Sequence, residues 1–143
     1  GWKRYARSLE KNGYVESPIG WRRRLPEYHS GSRSLRMEAW RQGCNMPIQN
    51  MAVVLTHVGA ILAWPVLRQQ FGAFLVHHVH DQLLFEVPVE RAEGAAVMLR
   101  EILAEEVPRY IRRHFGVRIP FRPRVEVGTG LSWGEVLTKP GAS

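Results

Sequence analysis

The stretch VHHVHDQLLFEVP, residues 76–88, constrains the fold of this chain more than any other. Two runs rich in β-branched and apolar residues, 73–79 and 83–87, flank a polar triplet that consists of His80, Asp81 and Gln82. Runs that favour strands and are separated by so few polar residues are typical of an antiparallel hairpin. We therefore predict a hairpin whose tip presents this triplet.

The N-terminal third predicts a short helix followed by a basic turn. Apolar residues within residues 1–12 are spaced three and four apart among Lys and Arg, which favours a helix that Asn12-Gly13 ends. Residues 14–19 are expected to be extended. The neighbouring prolines and glycine keep the arginine run 22–24 out of a regular helix, so we expect it on a loop or a short hairpin.

Two more helices are predicted on either side of Pro47. Residues 32–42 open with a serine suited to capping a helix, and residues 48–70 carry the apolar stripe of a buried helix. We expect Pro47 to interrupt the chain between them and Pro65 to kink the second helix.

The remainder predicts an amphipathic helix and a last strand. Residues 90–107 have apolar residues at helical spacing, and Pro108 should break or kink that helix. Residues 121–130 alternate enough to form a strand. The order of all these elements predicts an α+β fold, in which helices pack on one face of an antiparallel sheet.

Positive charge is concentrated in the N-terminal third. The 143 residues carry a net charge of +7, and residues 1–43 hold ten Lys or Arg against four Glu. Such a region favours a polyanion such as nucleic acid, because neutralised phosphates release condensed counterions; a solvated basic face has the same composition. Cys44 is the only cysteine, which excludes an internal disulfide. No signal peptide or unbroken membrane span is predicted.

On the residues alone, three interpretations of the histidine and aspartate cluster are open. His78, His80 and Asp81 could hold a transition metal, but no distant His or Cys completes a tetrahedral set. Asp81 could instead accept backbone N–H bonds within the turn, a common role for a turn aspartate. The hairpin could also present Asp81 to Mg²⁺, which prefers oxygen ligands, but that site needs a second carboxylate from elsewhere.

Four stretches together resemble the DNA polymerases of family A. The family's palm hairpin, written VHDE before an apolar strand, is similar to VHHVHDQLLFEVP in this chain. The family's GYVETLxGRRRxLP stretch is similar to GYVESPIGWRRRLPE. RMEAWRQGCNMPIQ resembles the RxxAERxAxNxPxQ segment, and GTGLSWGE the closing GxGxxW. The resemblance implies the C-terminal part of a polymerase domain with an antiparallel palm sheet around a catalytic β-hairpin. Residues 1–72 would form the fingers base and connecting palm helices, and residues 73–143 the palm hairpin, a helix and the last strand.

The resemblance also implies roles for individual residues. Asp81 would be one of two carboxylates that bridge two Mg²⁺ ions, which activate the primer 3′-hydroxyl and neutralise the triphosphate of the incoming dNTP. His80 would approach the primer terminus. Asn45 and Gln49 lie four residues apart, so both would face one groove of the primer–template DNA if the helix continues past Pro47. Gln49 would contact the minor groove, where correct base pairs place acceptors similarly. Helix capping and core hydrogen bonding are the alternatives for both residues. Two arginines of the same segment would also face the nucleic acid, Arg36 and Arg41.

Two departures from the family pattern affect the predicted site. Gln82 replaces the usual Glu in a supporting position, which we expect to weaken or alter the affinity for metal without abolishing it. The usual Gly-small-Ala-Ala-Asp after Gln49 is here NMAVV, residues 50–54, which alters the local packing. These departures suggest a divergent form of the family, split or viral.

The largest departure is the absence of the first palm motif and of the fingers helix with its nucleotide-binding residues. Asp81 is the only aspartate in the sequence, so the chain cannot supply both metal-bridging aspartates. It also begins at Gly1 without a Met. We therefore predict a polymerase piece that is inactive alone and works with a second polypeptide carrying the missing motifs. We expect a cytoplasmic location, in a nucleoid or an infected cell, and no membrane partner.

Two alternative functions belong to other classes. A non-catalytic nucleic-acid-binding module would keep the basic face and Gln49 without the chemistry. A small metal-binding protein would use His78, His80 and Asp81.

Overall fold

The computed structural model describes the backbone of residues 2–138 and the side chains of residues 3–136. The chain forms two compact units, Gly1–Val54 and Leu55–Ser143. In chain order the main elements are α1 (Trp2–Asn12), β1 (Tyr14–Glu16), β2 (Arg22–Arg24), α2 (Arg33–Phe71), β3 (Phe74–Val79), β4 (Gln82–Glu86), α3 (Ala92–Glu101), α4 (Val107–Phe115) and α5 (Trp133–Thr138). This mixture of helices and antiparallel strands confirms the α+β class.

The first unit contains α1, the β1–β2 hairpin and the N-terminal part of α2. Gly13 ends α1 with a φ of +68°, and its N–H donates to the Leu9 carbonyl at 2.9 Å, as the Asn12-Gly13 pair predicted. In the antiparallel hairpin Tyr14 pairs with Arg24 and Glu16 with Arg22. The arginine run therefore lies on a short hairpin. The core of this unit consists of Leu9, Val15, Leu25, Ala39 and Met46.

The prediction that Pro47 separates two helices is wrong, because α2 runs for 39 residues through both Pro47 and Pro65. A proline inside a helix removes one i→i−4 hydrogen bond and crowds the preceding turn. Here Pro47 is buried beside the core residue Met46. Burial of this part of the helix outweighs the local preference of proline, which sequence pattern alone underestimates.

By length and composition alone, α2 could cross a membrane, since an 18-residue window has a mean hydropathy of 1.6. Buried helices of folded domains have the same composition. Val58, Ala63 and Leu67 of α2 are buried within the second unit, which accounts for the apolar stripe without a bilayer. The absence of a membrane partner stays a prediction.

The second unit contains the hairpin predicted from residues 76–88. Antiparallel strands β3 and β4 pair from Phe74 with Glu86 up to Val79 with Gln82. The turn consists of His80 and Asp81 alone, so Gln82 begins β4 instead of belonging to the tip. An irregularity in register lies between Leu75 and His77.

The helical segment after the hairpin contains an unusual turn before Pro108. Residues Ile102–Glu106 are π-helical and join α3 to α4. Pro108 follows in the first turn of α4, directly after these π-helical residues. The predicted break at this proline is thus a widened turn. The core of the second unit consists of Ala63, Leu67, Ala73, Ala95, Leu99 and Ile102.

The predicted last strand is wrong, because residues 121–130 do not form a strand. Their exposure alternates as expected, but over residues 121–128 there is no backbone-to-backbone hydrogen bond to any other described residue. The segment lies beside the helical layer: Thr129 donates to Glu93 at 3.0 Å, and Arg122 pairs with Glu105 at 2.8 Å. Alternation without a neighbouring strand therefore gives no ladder.

Candidate active site

Asp81 lies in the two-residue turn between β3 and β4, and its side chain is exposed. Within the described part of the chain that side chain makes no hydrogen bond and no ion pair. The structural alternative, in which the carboxylate accepts backbone N–H bonds of its own turn, is therefore not the arrangement found. The carboxylate oxygens are available to a ligand from outside the chain.

His80, the other turn residue, has a strained backbone. Its φ is +50°, and no other described residue apart from glycine has a positive φ. Turns of two residues use glycine or asparagine for this conformation, which costs other residues on the order of 1–2 kcal/mol. The exposed imidazole is therefore kept at a position where stability alone favours glycine. Such strain is common at functional sites.

Helix α2 supports the hairpin from one side. The rings of His57 and His78 meet edge to face, with centroids 4.7 Å apart and planes at 86°. At the far end of β3 the Arg68 guanidinium lies 3.8 Å from the Phe74 ring centroid. Sequence reasoning assigned no role to His57; the available signal was a polar residue within a long apolar run.

The closing GTGLSWGE segment lies against a different residue of the hairpin. Trp133 meets His77 edge to face, at 6.0 Å between centroids. The backbone N–H of Leu131 donates to the Glu135 carboxylate at 3.0 Å, which fixes the turn before α5. His77 and His78 pair with different residues of β4 and point to opposite faces. The hairpin is therefore supported on both faces below its free tip.

The chemistry of the tip fits half of a magnesium site. Among residues 2–138 no group of three or more His, Cys, Asp or Glu side chains could hold a metal ion, so His78, His80 and Asp81 do not form the transition-metal site considered above. His78 is instead paired with His57. A single exposed carboxylate suits Mg²⁺, which commonly takes only one or two protein carboxylates. Asp81 could hold such an ion together with ligands from elsewhere.

The two arginines predicted to face nucleic acid both make local contacts in the first unit. Arg36 donates to the carbonyl oxygens of Ser30 at 2.7 Å and of Gly31 at 3.0 Å. Arg41 forms an ion pair with Glu38. Both arginines are exposed, so each remains accessible while it holds its own surface together.

A polar network connects the arginine hairpin to α2 within the first unit. Arg23 donates to the Gln42 side-chain oxygen at 2.6 Å, and the Gln42 amide donates to Glu38 at 3.0 Å. The hydrogen bond from Gln42, followed by the hydrogen bond and the charge of Arg41, lowers the pKa of Glu38 below its usual value. This network fixes the orientation of the basic surface.

Asn45 and Gln49 lie on α2, where the helix continues through the NMPIQ segment. Their spacing of four residues places both side chains on one face, and both are exposed, so neither takes part in core hydrogen bonding. The next residue, Asn50, is 9% exposed, and its Oδ1 has no hydrogen-bond partner among the described residues. Sequence reasoning had treated this position only as a change in packing.

Residues 2–135 match the family model described as DNA polymerase family A. This chain belongs to DNA polymerase family A. The four motifs, the hairpin that they predicted and the exposed aspartate at its tip are therefore features of a family A domain.

Relatives within family A are similar over most of this chain. It is 37% identical over 132 residues to the thermostable DNA polymerase I of Thermus filiformis, covering 90% of this chain and 14% of that protein. It is 35% identical over 125 residues to DNA polymerase I of Mycobacterium leprae, covering 87% of this chain and 13% of that one. The chain thus spans about one seventh of the length of these polymerases.

A solved family A structure has a similar fold. The polymerase domain of Pol1 from M. smegmatis, in complex with DNA primer–template and dNTP, superposes with a TM-score of 0.65 at 30% sequence identity. The similarity covers 72% of this chain and 18% of that one. It agrees with the α+β architecture described above.

Proposed function

We propose that this chain is part of a DNA-directed DNA polymerase and contributes Asp81 to nucleotidyl transfer assisted by two metal ions. The observation that carries the proposal is the Asp81 side chain, which is exposed and unpaired within the described structure at the tip of a supported hairpin. A carboxylate with a structural role would have a partner in its own turn. Membership of family A and the VHD motif support a role in catalysis.

Asp81 and its neighbours would each do a different part of the work. Asp81 would hold two Mg²⁺ ions jointly with a second carboxylate, and the bound ions would activate the primer hydroxyl and neutralise the triphosphate. The neutral Gln82 would support the site without adding charge. His80, fixed by its strained backbone, would place a ring N–H near the primer terminus.

The exposed face of α2 would bind the DNA. Asn45 and Gln49 present amide groups on one side of the helix, and amides can pair with the minor-groove acceptors that all correct base pairs share. Arg36 and Arg41 would contact phosphates. Arg41 would then exchange its Glu38 partner for a phosphate, a small change because exposed ion pairs contribute little stability.

A second polypeptide, carrying the first palm motif and the fingers helix, would complete the enzyme. Two observations support it: Asp81 is the only aspartate, and residues 121–128 have no neighbouring strand in the described structure. A strand of that polypeptide would pair with the backbone of this segment. DNA primer–template and dNTP, bound by the M. smegmatis polymerase, are the proposed substrates.

Primer extension tests this function. The chain is assayed alone and together with a completing fragment, defined as the T. filiformis polymerase without the segment that this chain matches. We expect synthesis only from the mixture, and a loss of about 1,000-fold or more with Asp81→Asn while DNA affinity stays within two-fold. Robust Mg²⁺-dependent synthesis by the chain alone, or an unchanged rate with Asp81→Asn in the mixture, would contradict the proposal.

The alternative of a non-catalytic DNA-binding module is favoured by one observation, the presence of only one aspartate. Such a module would bind primer–template DNA through the exposed face that holds Asn45 and Gln49. It would support no synthesis with the completing fragment, although the fragment combined with its own Thermus segment would remain active.

A further inference from the structure

A second basic segment follows the β3–β4 hairpin in the chain. Residues 107–125 contain six arginines and no aspartate or glutamate. All six side chains are exposed: Arg109, Arg112, Arg113, Arg118, Arg122 and Arg124. The DNA contacts proposed above use none of them.

Helix α4 turns three of these arginines to its outer side. Val107 and Ile111 are buried and fix the inner side of the helix. Arg109 precedes Arg112 and Arg113 by three and four residues, so the three guanidinium groups share one exposed face.

The helix dipole gives a structural explanation for part of this charge. Arg112 and Arg113 lie in the last turn of α4, where cations interact favourably with the dipole. Arg118 lies beyond Gly116, where the helix ends with a φ of +67°. The dipole therefore does not account for Arg118 or for the arginines that follow it.

Only some of the six arginines are paired. Arg109 binds Glu106 at 2.6 Å, and Arg122 binds Glu105 at 2.8 Å. Three guanidinium groups have no hydrogen bond and no ion pair within the described part of the chain, those of Arg112, Arg113 and Arg118. These three cations are available to an anionic ligand.

The chain folds back beside α4 after the helix ends. It leaves the helix at Gly116, and six residues later Arg122 binds Glu105, which lies in the π-helical turn before α4. Further along, Thr129 binds Glu93 of α3 at 3.0 Å. Residues 117–121 therefore run back past α4, and both parts of the basic segment lie on the same side of the second unit's sequence of helices.

Aromatic rings are interleaved with these arginines. Tyr110 and His114 of α4 stack with centroids 3.9 Å apart and planes at 22°. Phe115 is 44% exposed and Phe121 62%. Exposed rings among cations are typical of surfaces that bind unpaired bases, because each base can stack on a ring while its phosphate meets a cation.

We propose that the end of α4 and the residues after it bind single-stranded nucleic acid. We call Arg112, Arg113, Phe115 and Arg118 the arginine surface. Its three free guanidinium groups would contact phosphates, and Phe115 would stack on a base. This site uses other residues than the α2 face and does not depend on Asp81, so it goes beyond the proposed function.

Two other ligands fit less well. The bases of duplex DNA are already stacked on each other and leave the exposed rings without a partner. An acidic protein segment would satisfy the arginines, but the rings favour a ligand that carries both anionic groups and flat rings. Single-stranded nucleic acid has both.

The first test compares two double substitutions that remove the same charge from the second unit. Arg112→Gln/Arg113→Gln changes the arginine surface, and Arg91→Gln/Arg100→Gln is the matched control at two other exposed arginines. Fluorescence anisotropy measures the binding of each variant to a fluorescein-labelled oligothymidylate of about twelve nucleotides. We expect the first variant to bind at least ten-fold more weakly and the control to change less than two-fold. The dependence of log K on log salt should become shallower by about 1.4 in the first variant, for two lost phosphate contacts.

The second test separates stacking from charge. Phe115→Leu keeps every charge and removes the ring, so it should weaken binding to the oligothymidylate about five-fold or more without changing the salt dependence. Its affinity for an abasic oligomer of the same length should equal that of the unsubstituted chain. Circular dichroism checks that all variants fold.

Other results would overturn the inference. Equal losses in the two double variants would show that net charge alone binds the oligomer. A duplex with the same number of phosphates that binds as tightly as the oligothymidylate would contradict a preference for single strands. Displacement of the oligothymidylate by polyglutamate at equal charge concentration would make an acidic protein the ligand.

Discussion

The described part of the molecule contains two antiparallel hairpins, one in each unit, and their charged side chains differ in their contacts. In β1–β2, Arg22 binds Glu16 at 2.5 Å, and Arg23 binds Gln42 at 2.6 Å. In β3–β4 the turn holds Asp81 without a partner in the described structure. The first hairpin uses its charges within the fold, whereas the second leaves one free.

The two hairpins are alike in lying close to a glycine of α2. A Cβ added at Gly43 of α2 would lie 2.7 Å from Leu9 and 3.3 Å from Val15 of β1. A Cβ added at Gly59 would lie against Leu103 and 3.7 Å from Leu83 of β4. Each hairpin therefore depends on a glycine of α2 that lets the neighbouring elements approach closely. The contrast therefore lies in the contacts of the charged side chains and not in the closeness of each hairpin to α2.

The largest expected effect on stability concerns the two glycines of α2 that lie close to the hairpins. Gly43→Val and Gly59→Val should each lower the free energy of unfolding by about 1–3 kcal/mol, because the added methyl groups overpack a closed site. Gly31→Val is the control, since nothing lies within 4 Å of a Cβ there. Urea unfolding measures all three. A tolerated Gly59→Val would mean that the second hairpin is not held closely to α2.

The next effect concerns the strained turn. His80→Gly should be more stable than His80→Ala by about 1 kcal/mol, since glycine adopts a positive φ without penalty and alanine does not. Both variants lose the imidazole and should extend primers poorly in the mixture with the completing fragment. Equal stability of the two variants would show that the positive φ at residue 80 does not destabilise the turn.

A smaller effect on thermal stability distinguishes Glu16 of the first hairpin from Asp81 of the second. Glu16→Gln should slightly lower the thermal midpoint in low salt, and the difference should fade in 1 M salt, because an exposed ion pair is screened. Asp81→Asn should leave the midpoint unchanged at any salt concentration. A drop with Asp81→Asn would indicate that the carboxylate has a structural partner.

The smallest effect concerns the network that holds the first hairpin. Hydrogen bonding lowers the pKa of Glu38. The stabilisation by the charged Glu38 carboxylate is therefore present above the usual pKa of 4.5 and is lost as the pH falls through the lowered pKa of the folded chain. Gln42→Met should raise the pKa of Glu38 toward that usual value. Carbon NMR of the Glu38 carboxylate through an acid titration measures the change.

Local chemistry predicted the hairpins well. The alternation around residues 76–88 and the turn-forming triplet fixed β3, β4 and the position of Asp81, and Gly13 fixed the end of α1. These features depend on neighbours in sequence, which a single chain contains. The position of Asp81 in the turn therefore depends on local sequence.

The wrong predictions concern elements whose structure depends on contacts with distant parts of the chain. Pro47 does not end α2, because burial outweighs its local preference. Residues 121–130 alternate but lack a neighbouring strand. The support of the hairpin by His57 and Trp133 depends on contacts between elements, which residue patterns do not report.

We propose that Asp81 is unpaired within the described structure because its partners are metal ions in the completed polymerase. Manganese can replace Mg²⁺ and broadens the NMR signals of nearby nuclei. With this chain isotope-labelled and assembled with the completing fragment, primer–template DNA and dNTP, we predict that Mn²⁺ broadens the amide signals of residues 79–82 and that Asp81→Asn abolishes this broadening. Broadening that is absent from the tip, or that persists unchanged in Asp81→Asn, would contradict the account.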